Sequence, residues 1–536
     1  MNRFRLIVWT FILGVGLCCL YILHLLHYQT YFTQKGDQQS IRQTKYENNR
    51  PIIKDRNGFI LAGNAPSQSL VMDPRYVKPN KNLKRLFKIL SLSDQKQKQI
   101  KQAINQKSTR AIELARHVFP NQIEKIQHLN IQGLKWHRNT HRFYPKGPVT
   151  GAVLGLTDID NQPIAGFEMR LSDYLGWTSK SSIIRYHQNQ IGKIAFLLES
   201  YPSELDTTNS VHLTLDHRVQ LIAYKALKSG IQQADAKSGQ AIVMNAKTGG
   251  VLAMANYPSF NPNTRQWQQF SFLRNRTNTP ETIYDTSPGV LRVGNDQVKD
   301  FRNYGKLSLK DIIARSINVG VSKAILANKA QNKTLFPDML RKLGFSHQTG
   351  IELPGERHGS VPWEIKRDFD LATLSFGYGL TATPLQIAKA YGIIANHGQT
   401  VSPHIILNHS VRQHLSMQQV IQANLADDVI ELLKATVAKP YGTGRRANVS
   451  GYQVAGKTGT SFKVGPKGYD ENKRYALFAG FAPADYASIV IVIVIDEPKN
   501  PDKNTGGSAA APVFHEIAKN VLPMLGIHPL KKVTEL

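Results

Sequence analysis

The stretch YALFAGFAPADYASIVIVIVIDEP, residues 475–498, decides the fold, because it holds two apolar runs rich in aromatic and β-branched residues. These runs predict two strands, and APVFHEIAKNVLPMLG (511–526) predicts a closing helix. Upstream, GQAIVMNAKTGGVLAMANYP (239–258) predicts a hairpin, and segments 308–328 and 383–398 predict helices. Strands, a helical middle, further strands and a last helix together predict an α/β fold with a largely antiparallel sheet.

The N-terminal part of the chain has a different pattern. Short strand-like runs flank the turn signal Asp55–Gly58, and a Lys/Gln-rich stretch at 81–115 predicts helix. The polar segment Ser203–Ser210 predicts a linker. We therefore expect a cytoplasmic tail at 1–5, a transmembrane signal-anchor at 6–27, an exported mixed α+β domain at 28–205 and a second domain at 206–536.

The segment Leu6–Leu26 has 21 residues and no formal charge, which is enough to cross a bilayer as a helix. It is too long for the apolar region of a signal peptide and ends without a small-residue cleavage site, so we expect it to stay attached. Arg3 and Arg5 precede it, and no Lys or Arg follows until Lys35. The positive-inside rule then places the bulk of the chain outside the cytoplasm.

The net charge is +29, and hydrophobic residues make up 41% of the 536 residues, which excludes a disordered chain. Ten basic residues and one acid lie between Lys78 and Arg110. An exported segment with few aromatic residues is a poor nucleic-acid site, so we interpret it as a solvated helical face. The only two cysteines, Cys18 and Cys19, lie in the apolar segment, which excludes a disulfide framework and a Cys-rich zinc site.

Residues 451–458, GYQVAGKT, match the phosphate-loop pattern G-x-x-x-x-G-K-[ST], and Asp496 with Glu497 follows an apolar run as in nucleotide hydrolases. A phosphate loop needs a buried strand before it and a helix N-terminus directly after it. The residues before it are polar, and glycines and a proline follow it. The sequence therefore disfavours an ATPase.

Lys457-Thr458-Gly459 has a second meaning, since a Lys-Thr-Gly tripeptide occurs on a strand of serine acyltransferases. Ser316-Ile317-Asn318 supplies a Ser-x-Asn element as well. Around these motifs the chain resembles the septal, FtsI-like branch of the class B penicillin-binding proteins, in order and over nearly its whole length. The similar segments are 55–58, 142–145, 166–168, 213–216, 252–256, 274–276, 316–320, 375–380, 383–386 and 442–444.

The resemblance implies an exported pedestal or dimerisation-type domain, followed by a transpeptidase domain of the serine β-lactamase-like fold. It implies that Lys457, Thr458, Gly459 and Thr460 bind substrate. It also implies that Ser316 relays protons and that the amide of Asn318 holds substrate. The family reaction cross-links peptidoglycan stem peptides at D-Ala-D-Ala through a serine acyl-enzyme, and we expect no metal and no cofactor.

The sequence departs from this family at its first motif, Ser-x-x-Lys, where the serine attacks and the lysine takes its proton. In the family this motif follows soon after Arg-Asn-Arg-Thr, but here Arg274–Thr277 runs directly into NTPETIYDTSPG. Prolines and glycines between Pro280 and Asp300 disfavour a regular helix there. We therefore predict that the nucleophile and its core helix are both missing.

No substitute stands out in the sequence. The only Ser-x-x-Lys is Ser93–Lys96, in the basic segment, and Thr-x-x-Lys occurs at Thr436–Lys439 and Thr460–Lys463. Thr286 and Ser287 lie near the expected place, but no lysine follows until Lys299. The catalytic residues that the sequence predicts are thus Ser316 and Asn318 without a nucleophile.

Three functions remain open on these observations. The first is a septal penicillin-binding protein of the bacterial inner membrane, with its bulk in the periplasm and impaired catalysis. The second is a non-catalytic interaction protein of the division machinery, and the third is an intact transpeptidase whose sequence here carries a deletion. The expected partners are peptidoglycan stem peptides, β-lactams (non-covalently at most), divisome membrane proteins and a lipid-II polymerase, with no nucleic acid.

Overall fold

The computed structural model describes residues 2–28, 31, 35, 41–47, 50–118, 120–171, 173, 181–188, 194–200, 210–263, 283–407, 418–465 and 468–529. The chain divides into two compact units, one of residues 1–50 and 177–209 and the other of residues 51–176 and 210–536. The predicted linker at Ser203–Ser210 lies outside the described residues except for its last residue.

The helices, in chain order, are α1 (Asn2–His27), α2 (Lys81–Ile89), α3 (Asp94–Asn105), α4 (Pro120–Gln127), α5 (Pro148–Leu154), α6 (His217–Gln233), α7 (Leu309–Arg315), α8 (Asn318–Leu326), α9 (Lys329–Lys342), α10 (Asp368–Ser375), α11 (Pro384–Ala395), α12 (Ala423–Ala438) and α13 (Ala511–Met524). The strands are β1 (Ile41–Glu47), β2 (Ile52–Lys54), β3 (Ile60–Met72), β4 (Ile112–Val118), β5 (Leu134–Phe143), β6 (Leu156–Thr157), β7 (Pro163–Ala165), β8 (Ser181–Gln188), β9 (Ile194–Ser200), β10 (Ser210–His212), β11 (Ser238–Asn245), β12 (Val251–Tyr257), β13 (Ile283–Asp285), β14 (Val290–Val293), β15 (Asp296–Lys299), β16 (Lys306–Ser308), β17 (Ala455–Gly465), β18 (Gly468–Ala482) and β19 (Ile489–Asp496).

The first unit contains α1 and an antiparallel sheet of order β1-β8-β9. Within α1, residues Ile7–His24 have a mean hydropathy of 2.1, and none of this window is buried. An apolar helix of this length that covers no protein core fits a single-pass membrane anchor.

The N-terminal part of the second unit is built around β3, which pairs with β2, β4 and β5. The predicted hairpin at Asp55–Gly58 is present, since the Asp55 N–H donates to the Phe59 carbonyl at 2.8 Å. A small apolar core under this sheet joins it to α2, α3 and α4.

One predicted element is wrong, because the stretch 81–115 is not helical throughout. Helices α2 and α3 cover most of it, but Ile112–Ala115 belongs to β4. Residues 112–118, IELARHV, pair with β3 and bury Leu114 and Val118 against its core. Pairing with β3 and burial against its core therefore outweigh the local helix propensity of these residues.

The C-terminal part of the second unit has an antiparallel sheet of order β12-β11-β19-β18-β17. Every residue of β19 is buried, because its isoleucines pack against α6 and α13 while its valines face a second core that includes α11. The predicted hairpin at 239–258 is β11–β12, and the closing helix is α13. Helical layers on both faces of an antiparallel sheet confirm the predicted fold class.

The segment 308–328 forms two helices rather than one. Ser308 caps α7 by accepting a hydrogen bond from the Asp311 N–H at 3.2 Å. The chain then adopts a left-handed conformation at Ser316, with φ 60° and ψ 54°, before α8 begins at Asn318. This break leaves Ser316 exposed at the surface.

Candidate active site

The predicted substrate-binding motif lies on β17, which ends the strand order of the sheet and pairs with β18. Lys457 stands opposite Ala479 in this pairing. On the side away from β18, other elements already contact the β17 backbone, since the Thr436 hydroxyl donates to the Gly456 carbonyl and the Phe462 N–H donates to the Tyr378 hydroxyl at 3.5 Å. The strand also settles the phosphate-loop question, since Gly456, Lys457 and Thr458 are extended and open no helix.

The structure brings Lys457 and Ser316 together, although 141 residues separate them. The Lys457 Nζ donates to Ser316 Oγ at 2.9 Å and to the Thr458 carbonyl at 3.0 Å. The Lys457 side chain is half-buried. Burial lowers the pKa of Lys457 to about 8, because a cation loses hydration in this position.

Thr443 completes the polar side of the pocket, and sequence reasoning did not assign it a role. The Thr458 hydroxyl donates to Thr443 Oγ at 2.8 Å, and the Thr443 N–H donates to the Ala314 carbonyl at 3.0 Å. The sequence signal for Thr443 was its place in the segment Gly442–Gly444, which is similar to a segment of the penicillin-binding proteins. A Cβ at Gly442 would lie 2.2 Å from the Thr436 carbonyl oxygen, so this tight turn requires glycine.

The remaining motif residues are Thr460, Gly459 and Asn318. Thr460 Oγ accepts a hydrogen bond from the Gly506 N–H at 3.1 Å. A Cβ at Gly459 would meet only the Leu477 side chain, at 3.5 Å, so packing does not require a glycine there. The Asn318 N–H donates to Asp300 at 2.6 Å, and its side-chain amide lies 3.4 Å from the Lys299 carbonyl.

An apolar cavity of about 80 Å³ lies next to Lys457 and Thr458. Its lining comes from α7, α9 and the loop after it, α11, α12 and β18, and comprises Ile313, Leu340, Leu343, Phe345, Ile387, Ala390, Tyr391, Ile394, Val429, Leu433 and Leu477. Burial raises the pKa of Tyr391, so its phenol stays neutral. The pocket thus has a cationic and hydroxylic rim over an apolar floor.

The candidate replacements for the nucleophile are occupied elsewhere. Ser93 caps α3 and accepts from the Lys96 N–H at 3.4 Å. Thr436 is fully buried, and its hydroxyl donates to the Leu433 carbonyl at 2.9 Å. Thr286 is buried and donates to the Gly305 carbonyl at 2.8 Å.

Lys463 and Ser287 are the two remaining candidate replacements for the base and the nucleophile. The Lys463 ammonium is paired with Asp496 at 2.7 Å and with Glu497 at 2.5 Å, so it is not available to Thr460 as a base. Ser287 follows β13, and its backbone N–H donates to Asp285. Residues 264–282, where the family motif would begin, lie outside the described residues.

Comparison with known proteins identifies the family of the chain. Residues 239–519 match the penicillin binding protein transpeptidase domain, and residues 45–190 match the penicillin-binding protein dimerisation domain. The peptidoglycan D,D-transpeptidase FtsI of Escherichia coli K12 is 32% identical over 92% of this chain and 87% of its own length. The probable peptidoglycan D,D-transpeptidase PenA of Neisseria meningitidis is 30% identical over 94% and 89%.

Solved structures show the same architecture. Penicillin binding protein 3 of Mycobacterium tuberculosis, solved with aztreonam, superposes with a TM-score of 0.63 at 25% identity and covers 91% of this chain and 98% of its own. Penicillin-binding protein PBP2 of Helicobacter pylori, solved with MreC, gives a TM-score of 0.69 at 20% identity, covering 91% and 100%. The chain therefore belongs to the class B penicillin-binding proteins, in the family of FtsI-like peptidoglycan D,D-transpeptidases.

Proposed function

We propose that this protein binds peptidoglycan stem peptides at the division septum and is impaired in the cross-linking reaction of its family. The observation that carries the proposal is the hydrogen-bonded chain from Ser316 through Lys457 and Thr458 to Thr443. An ammonium beside hydroxyls on a strand edge suits the terminal carboxylate of a D-Ala-D-Ala peptide.

The impairment is supported by the sequence. The chain has one Ser-x-x-Lys, whose serine serves as a helix cap far along the sequence from the site. An acyl-enzyme needs an activated nucleophile, and the family's own pair is missing from this sequence.

The cellular placement follows from α1 and the charges that flank it. Arg3 and Arg5 precede the apolar window Ile7–His24, so we place the N-terminus in the cytoplasm and residues 28–536 in the periplasm of a bacterial inner membrane. Family membership supports divisome membrane proteins and a lipid-II polymerase as partners. The domain boundary near residue 205 belongs to the same proposal.

The proposal is tested by measuring binding and turnover on one preparation of the full-length protein in detergent. A pentapeptide that ends in D-Ala-D-Ala should bind, without release of D-alanine. Lys457→Gln should abolish binding, whereas Lys473→Gln, at an exposed lysine of the neighbouring strand β18, should not. D-alanine release at a rate typical of transpeptidases would overturn the impairment, and binding that survives Lys457→Gln would overturn the site.

A further inference from the structure

Ser316 occupies a backbone position that normally belongs to glycine. Its φ of 60° is left-handed, and it ends α7, with its N–H donating to Ile313 and the next N–H, of Ile317, donating to Ile312. Helices that end in this way most often use glycine at that position, because other residues are strained there. Nine other non-glycine residues of the described chain also have positive φ, Ser91 and Ser346 among them, so the case for the Ser316 hydroxyl depends on what surrounds it.

The surroundings of the hydroxyl are those of an activated nucleophile. Ser316 is exposed, and its Oγ lies 2.9 Å from the Lys457 amine, within the distance for direct proton transfer. Burial of Lys457 lowers its pKa to about 8, so a substantial fraction of the amine is neutral near that pH. Serine–lysine pairs act as nucleophile and base in several unrelated enzyme folds.

We propose that Ser316 is an acyl-accepting nucleophile, with Lys457 as its base, and that the pair reacts with strained acyl donors of the β-lactam class. This proposal uses the pocket of the proposed function but adds a covalent step to it. A β-lactam would then be bound covalently, in contrast to the non-covalent binding that the sequence alone predicts.

The step conserves all atoms. The neutral Lys457 amine takes the hydroxyl proton while Ser316 Oγ bonds to the lactam carbonyl carbon. The carbon–nitrogen bond of the ring then breaks, and the ring nitrogen takes the proton from the Lys457 ammonium. The product is a serine ester that retains the whole antibiotic, and Lys457 returns to its neutral form.

The backbone around Ser316 limits the reaction to reactive donors. The amides that follow the serine are already engaged, because Ile317 donates to Ile312 while Asn318 and Val319 donate to Asp300. They offer no oxyanion hole, and loss of one such donor slows acyl transfer by about 10²–10³-fold. A strained four-membered ring supplies part of the missing driving force, whereas an ordinary peptide bond does not.

The titratable groups that flank Ser316 and Lys457 keep one protonation state near neutral pH. Burial raises the pKa of Tyr391 in the cavity lining. The Arg315 guanidinium lies over the Tyr441 ring at 3.8 Å. The hydrogen bond between Tyr441 and Asp311 raises the pKa of the tyrosine and lowers that of the carboxyl. The acylation rate should therefore follow Lys457 alone and rise through about pH 8.

The test is peptide mapping of the full-length protein after incubation with a fluorescent penicillin. We expect slow addition of one intact penicillin mass on the peptide that contains Ser316, about 10²–10³-fold slower for each missing oxyanion donor than in an acylating relative. Addition to Lys457 or to another residue, or no addition within a day at pH 8.5, would overturn the proposal.

Two variants separate chemistry from structure. Ser316→Gly removes the hydroxyl while suiting the left-handed backbone, so it should lose the adduct and keep or raise the melting temperature. Ser461→Ala, on the same strand as Lys457, should label like the parent protein. If pentapeptide binding persists while no adduct forms, this inference fails and the proposed function stands; if both fail, the pocket assignment itself is wrong.

Discussion

Filling the cavity beside Lys457 should stabilise the protein. Ala390 on α11 lines this cavity and is almost fully buried, so Ala390→Leu would place three additional carbon atoms in it. A cavity of about 80 Å³ is associated with about 1.9 kcal/mol at about 24 cal/mol per Å³, which sets the scale of the gain. The melting temperature should then rise by about 2–3 °C, because the unfolding entropy of about 2.1 cal/mol/K per residue is large for a domain of more than 300 residues.

The assay is thermal unfolding of the full-length protein followed by circular dichroism, with Ala388→Leu as the matched control. Ala388 lies on the same helix and is fully buried, but it does not line the cavity. Its replacement should overpack the core and cost about 1–3 kcal/mol. Equal destabilisation by both substitutions would refute the reasoning, because it would show that the space beside Lys457 is already filled in solution.

Three further predictions concern the rest of the second unit. Gly442→Ala should cost about 1–3 kcal/mol in a urea titration, since its Cβ would lie 2.2 Å from a carbonyl oxygen, whereas Gly459→Ala should stay within about 0.5 kcal/mol. Arg142→Ala should cost about 3–5 kcal/mol, because it removes the guanidinium that balances the charge of the fully buried Glu168 carboxylate; a loss below about 1 kcal/mol would contradict this. Burial alone would raise the pKa of Asp216, but hydrogen bonds outweigh it and lower the pKa to about 2, so its stabilising contribution should disappear as the pH falls from about 4 to about 2. Asp216→Asn should lack that part of the acid loss, as measured by melting temperature against pH.

The strands of the sheet could be predicted from the sequence because their hydrophobic pattern depends on burial alone. The run IVIVIVID alternates two apolar residue types, so it suits a strand that is covered on both faces, and the structure places it at the centre of the sheet. The error at 112–115 has the opposite origin. Those residues favour helix locally, and only pairing with β3, some 40 residues earlier in the chain, makes them a strand.

The candidate site was predictable only in part. The pairing of Lys457 with Ser316 follows from motifs that sequence can recognise, but Thr443 enters through the turn at Gly442–Gly444, whose role depends on three-dimensional proximity to Thr458. The left-handed conformation of Ser316 was equally hidden, because a helix break between a serine and an asparagine has no unique signal in the sequence.

The pocket concentrates features that the fold does not need for its own stability. Lys457 is held where burial lowers the pKa of its amine, so folding should become more favourable as the pH rises from about 8 towards about 10.5. Ser316 adopts a strained conformation that glycine would relieve, and Gly459 is a glycine where packing would accept alanine. Unfavourable choices of this kind cluster at functional sites, where a ligand or a reaction depends on them. Lys457, Ser316 and Gly459 lie at one pocket, and this coincidence supports the proposal that the pocket binds a ligand.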